Sequence, residues 1–162
     1  MDAVTRVDFH CHSTYSDGAL LPREVAAALA DDRVAFASLT DHDCVDGLRG
    51  FRHGLARRGI GFVTGVEITT RCNGREAHLL GFGFDPDHPE LRATLASLRR
   101  ARAPHSVAAS MRDRPRRRAE DTEVRNAGAA SAGWIDIADA IAVIQRAGGR
   151  AFLAHPLALE PD

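Results

Sequence analysis

Five times along this 162-residue chain, an apolar run of strand length leads to a histidine or an acidic residue. The runs deliver His10 and His12, then His42, Glu67, His78 and finally His155. A lone histidine is usually a surface or core residue. A repeated context of this kind instead gathers side chains at the ends of neighbouring strands. Imidazole and carboxylate are the donors a multinuclear metal site needs, and the ends of barrel strands are where such sites are built.

Helix signals fall between the runs. Pro22 suits the first turn of a helix carrying Val25, Ala28 and Leu29, and Leu48, Phe51 and Leu55 form one stripe of a second helix stopped by Gly59. The spacing predicts strands over 4–10, 34–39, 60–66, 78–84 and 151–154, a turn over 71–75, and helices over 89–101 and from 135 to the Gly148-Gly149 pair. Strands alternating with helices favour a parallel α/β architecture over a sandwich. Side chains alternate across a strand, so His10 and His12 share one face while Phe9 and Cys11 take the other. Two imidazoles can then grip one ion, and Cys11 reads as a core thiol.

Composition narrows the function classes. At 44% hydrophobic the chain can build one domain with a sizeable core. A net charge of −1 argues against a protein that coats nucleic acid or an anionic membrane. All 21 basic residues are arginine, which reflects genome composition more than chemistry, although arginine does suit phosphate recognition. The three cysteines (Cys11, Cys44 and Cys72) are odd in number, widely spaced and form no CxxC pair. A reducing cytoplasm is therefore the default. The chain has no apolar run long enough to span a membrane and no signal-peptide core, so a cytoplasmic protein without membrane contact is expected. From residue 102 to 133 large apolar residues thin out around Arg112, Arg114, Arg116, Arg117 and Arg118, a stretch expected to be a solvated linker. His53, His88 and His105 lack the strand-end context and are expected to have no role.

The motifs His10-Cys11-His12-Ser13-Thr14-Tyr15-Ser16-Asp17-Gly18, Thr40-Asp41-His42-Asp43, Gly65-Val66-Glu67 and Ala154-His155-Pro156 resemble, in this order, those of the PHP (polymerase and histidinol phosphatase) family of metal-dependent phosphoesterases. The spacing is most similar to the TrpH-like stand-alone branch of nucleotide phosphatases and exoribonucleases. The resemblance implies a distorted (β/α)7 TIM-like barrel binding two or three divalent ions such as Mn, Fe or Zn. It implies that His10 and His12 hold the first ion, that Glu67 bridges the first and second, and that His78 and His155 complete the second. Asp17 and His42 would hold the third, and Asp17, His42 and Glu67 would form the catalytic set.

A carboxylate can bridge two ions about 3.5–4 Å apart, and water held between them is deprotonated near neutral pH. No protein nucleophile is then required, and Ser13, Ser16 and Cys11 read as structural. Asp41 either orients its neighbouring histidine or serves as a cap or turn residue. Arg71 and Arg75, expected on the loop after Glu67, are substrate-contact candidates or ordinary surface arginines.

The family pattern closes with an Asp-x-His motif on a late strand, and this sequence reaches Asp162 without it. The expectation is an α/β barrel incomplete at its C-terminus, with residues 1–101 and 135–162 as barrel and 102–134 as an Arg-rich linker or cap remnant. The first and third ion sites would each be one ligand short, and an open sheet edge would invite a homo-oligomer. The expected function is hydrolysis of phosphate esters of nucleotides or short oligonucleotides through a metal-bound hydroxide. Alternatives are a truncated homologue that binds metal or a partner chain with little catalysis, and a histidinol-phosphate phosphatase.

Overall fold

The computed structural model describes residues 5–109 and 134–156. Its first sheet is built by β1 (Arg6–Cys11), β2 (Val34–Leu39) and β3 (Gly61–Phe62), in that order and all parallel. The run Val-Ala-Phe-Ala-Ser-Leu of β2 takes the middle position, with Ala37, Ser38 and Leu39 buried and Phe36 exposed. Parallel neighbours need crossovers, which α1 (Pro22–Asp31) and α2 (Leu48–Ala56) supply. Pro22 opens α1, and the Glu24 carboxylate accepts from the backbone N–H of Leu21 at 2.8 Å. The stripe Leu48, Phe51 and Leu55 is buried as the spacing predicts. On α1 the buried residues are Pro22, Val25, Ala26 and Leu29, so Ala26 replaces the expected Ala28. The two helices pack closely at Gly54, where a Cβ would stand 2.8 Å from that of Ala26.

The second sheet departs from the parallel expectation. It contains β4 (Gly65–Cys72), β5 (Arg75–Phe82), β6 (Ile135–Asp136) and β7 (Arg150–Leu153), in the order β6–β4–β5–β7. β4 and β5 form an antiparallel hairpin closed by Asn73 and Gly74, both at positive φ (50° and 79°). An Asn-Gly pair adopts that turn readily, so the turn expected over 71–75 is a tight reversal and the strand after it runs antiparallel to β4. β7 is antiparallel to β5, and β6 is parallel to β4. Glu67 therefore lies inside β4, not at the end of a strand over 60–66. Gly65 explains the early start of β4, because a Cβ there would meet Ser38 Oγ at 2.0 Å and the Leu39 carbonyl oxygen at 2.7 Å. Only glycine lets β4 approach β2 so closely.

Two further helices follow, the later one packed on the second sheet and the earlier one beside it. α3 (Pro89–Ala109) buries Leu91, Leu95 and Leu98, and runs eight residues beyond its expected end at residue 101. His105 thus falls on a helix and not in a polar break, while its side chain lies outside the described residues. α4 (Ile137–Arg146) starts after β6, capped by the Asp136 carboxylate, which accepts from Ala138 N–H at 2.9 Å. It buries Ala140, Val143 and Ile144 in one apolar core with Ile68, Leu79 and Leu95. Residues 110–133, with most of the arginine-rich stretch, lie outside the described residues, as do 157–162. Among the described residues the fold is mixed α/β, and the two sheets do not close into a barrel. No helix among them is long and apolar enough to cross a membrane.

Candidate metal centre

The two sheets meet just beyond β2. His42 forms a parallel bridge with Glu67, the Asp43 N–H donates to the Glu67 carbonyl at 2.8 Å, and the Glu67 N–H donates to that of Asp41 at 3.3 Å. The carboxylates on either side of His42 are both buried and each holds a different segment. Asp41 accepts from Ser13 N–H (2.6 Å), Ser13 Oγ (2.7 Å) and Ser16 Oγ (2.9 Å). Asp43 accepts from Thr69 N–H (2.8 Å) and Thr69 Oγ1 (2.9 Å). Hydrogen bonds to a charged acceptor contribute about 1.5–3 kcal/mol each, so the loop after β1 and the middle of β4 are pinned to one short segment. Gly18 folds that loop back on itself, since a Cβ there would lie 2.3 Å from the His12 carbonyl oxygen.

Around this frame five imidazoles converge on the Glu67 carboxylate, whose side chain is 1% exposed. His10 Nε2 and His12 Nε2 lie 3.0 and 3.1 Å from Oε2, and His42 Nε2 lies 3.6 Å from it. His78 Nδ1 and His155 Nε2 lie 3.1 and 3.5 Å from Oε1. Asp17 closes the outer side, with Oδ1 3.5 Å from His12 Nδ1 and Oδ2 3.9 Å from His42 Nε2. Three overlapping groups result: His10, His12 and Glu67; His12, Asp17 and His42; and His42, Glu67 and His78. Within each group the potential ligand atoms all lie within 4.8 Å of one another.

The electrostatics follow from this crowding. Burial pushes the Glu67 carboxyl upward, but hydrogen bonds from His12, His78 and His10 outweigh it and hold the group well below the usual carboxylate range. The hydrogen bond to Glu67 raises His12. Bonds to Glu67 and then Glu76 push His78 up to about 9. Burial lowers His42, whose Nδ1 is buried without a hydrogen-bond partner among the described residues. One carboxylate cannot serve five imidazoles as a hydrogen-bond acceptor with good geometry, whereas divalent cations placed between them would use the same lone pairs. The donor set fits such ions.

All seven sequence-predicted donors, His10, His12, Asp17, His42, Glu67, His78 and His155, thus surround one space. Arg71 and Arg75 do not join them. They stand on the hairpin strands and not on a loop, with the Arg71 guanidinium 5.5 Å above the Trp134 ring. Cys11, expected in the core, is half-buried against it; its thiol donates to the Ser38 carbonyl at 3.2 Å, and burial pushes that thiol up to about 12. Asp41 holds Ser13 and Ser16 and does not touch His42 through its carboxylate. Sequence reasoning overlooked Asp43 and Glu76. Glu76 could have been found from its i, i+2 spacing to His78, which puts both on one face of a strand.

A carboxylate-centred, imidazole-lined site at the junction of two sheets defines a class of protein whose groups could hold several divalent ions. Residues 8–123 match the PHP domain family, and the chain belongs to that family. Over 99 residues it is 43% identical to a 3′,5′-nucleoside bisphosphate phosphatase of Chromobacterium violaceum, covering 61% of this chain and 35% of that protein. A 5′-3′ exoribonuclease of Haemophilus influenzae is 33% identical, with 94% of this chain and 69% of the relative covered. Among solved structures, a Chromobacterium violaceum protein described as an amidohydrolase with bound sulfate superposes with a TM-score of 0.74 at 32% identity. That match covers 94% of this chain and 67% of the other.

Proposed function

We propose that this chain is a metal-dependent phosphoesterase acting on nucleotides or short oligonucleotides. The observation that supports this best is the Glu67 carboxylate, buried between five imidazoles and shared by two of the three donor groups. His10, His12 and Glu67 are read as one ion site, Glu67, His78 and His155 as a second, and Asp17 with His42 as a third. Mn, Fe and Zn all suit such ligands. Bound there, such ions would neutralise phosphate oxygens and acidify water. Glu67 keeps its negative charge and fixes the spacing between sites. Asp17 and His155 stand where a phosphate ester enters, their side chains 60% and 59% exposed. Arg71, stacked on Trp134, is read as a contact for a more distant phosphate or base, with Arg75 beside it on the hairpin.

The names of the two relatives support a nucleotide substrate. The two sheets are read as arcs of a distorted (β/α)7 barrel to which residues 1–101 and 135–162 contribute, with 102–134 between them, in a cytoplasmic protein. Metal binding with slow turnover, or pairing with a second copy, is the competing reading. It is favoured by the exposure of His155 and by apolar residues on strands at the sheet edges, including Phe9 and Phe152. Hydrolysis of a 3′,5′-bisphosphonucleotide and of an aryl phosphate, with and without EDTA, separates the two readings. The expected result is turnover that EDTA abolishes and that His10→Ala lowers by more than about 100-fold, beyond the effect of losing an outer partner of a ligand. EDTA-resistant hydrolysis would contradict the proposal.

A further inference from the structure

Glu76 stands beside the centre without belonging to any of its donor groups. It precedes His78 by two residues on β5, so both side chains leave the same face of the strand. Its Oε1 lies 3.0 Å from His78 Nε2, while His78 Nδ1 lies 3.1 Å from Glu67 Oε1. The two carboxylates thus take opposite nitrogens of one ring. An ionised carboxylate only accepts hydrogen bonds, so without a cation the ring donates from Nδ1 to Glu67 and from Nε2 to Glu76. With a cation in place of the Nδ1 proton, the bond to Glu76 would keep Nε2 protonated and leave the Nδ1 lone pair for the cation beside Glu67.

We propose that Glu76 is a positioning residue that fixes His78 as the Nε2–H tautomer and aims Nδ1 at a divalent cation shared with Glu67. The inference rests on reading the centre as a metal site. A ligating histidine generally donates its other N–H to a carboxylate, carbonyl or water, which sets both tautomer and ring orientation. Neither His12 nor His42 has so short an outer partner among the described residues. His12 Nδ1 is 3.4 Å from Ser16 Oγ and 3.5 Å from Asp17, and His42 Nδ1 has no partner among the described residues. A competing explanation is available in the hairpin register, which sets Glu76 directly opposite Arg71. In that role Glu76 would support the hairpin and leave the ring unaffected.

Zinc affinity measured by chelator competition separates these roles when combined with 15N spectra of His78 in the zinc-loaded protein. The Glu76 side chain is 49% exposed, so its replacement leaves the core intact. Glu76→Ala is expected to weaken zinc binding about 10–100-fold and to expose the Nε2–H signal to solvent exchange. Glu76→Gln, whose Oε1 still accepts, should recover part of the loss, and Arg71→Ala should leave both readouts unchanged. Wild-type affinity and an unchanged Nε2–H signal in Glu76→Ala would overturn the proposal, as would an equal loss in Arg71→Ala. Failure of the wild type itself to bind zinc would overturn the metal reading and this inference with it. That result is distinguishable because it precedes any substitution.

Discussion

The inner wall of the centre and its rim hold the same kinds of side chain in different ways. On the wall, Glu67 sits inside β4, and the buried carboxylates of Asp41 and Asp43 tie the segment around His42 to the loop after β1 and to β4. On the rim, Asp17 stands on a loop and His155 follows β7 in the left-handed region at φ 46°, both more than half exposed. Such a backbone conformation costs on the order of 1 kcal/mol and persists only where the surroundings demand it. The wall is therefore shaped by folding, before any cation arrives. Among the described residues the rim donors have few other partners, and a cation would be what orders them.

Breaking the wall should have the largest effect. Asp41→Ala strands three donors from Ser13 and Ser16 and should destabilise the protein by about 3 kcal/mol or more in urea unfolding. Asp43→Ala, which strands two donors from Thr69, should cost about 2 kcal/mol in the same assay. Rim substitutions should behave in the opposite way. Asp17→Ala and His155→Ala should change unfolding free energy by less than about 0.5 kcal/mol, yet weaken metal binding measurably in a competition titration. A large stability loss in Asp17→Ala would erase the distinction between wall and rim.

A pH dependence of the metal-free protein is also expected. Hydrogen bonds to Glu67 and Glu76 raise His78 from 6.5 to about 9 in the folded state. The folded state thus binds the proton more tightly than the unfolded one. That contribution to stability is complete below pH 6.5 and is lost as the pH rises through about 9. Thermal melts of EDTA-treated protein should show the decline, and His78→Gln should flatten it.

Much of this was legible in the sequence, for identifiable physical reasons. β2 follows from a run that is apolar but for Ser38, and α2 from a stripe at helical spacing. The seven donors were recognisable because each follows such a run or sits in a short motif beside one. The direction of β5 was harder to read. Its hairpin depends on Asn73 and Gly74, and a turn read loosely over 71–75 hides how short that reversal is. The position of Glu67 inside a strand depends on the close approach at Gly65, a contact between segments distant in sequence. The same holds for the partners of Asp41, which lie 25 and 28 residues away. Adjacency to His42 suggested a different role for that carboxylate.

The most direct test of the account is the metal content of the purified chain compared with that of Glu67→Gln, by elemental analysis after loading with Mn or Zn and removal of the excess. If Glu67 is the shared carboxylate of a multi-ion centre, the wild type retains at least two ions per chain and the variant at most one. Equal retention by the two proteins, or none by the wild type, would contradict it.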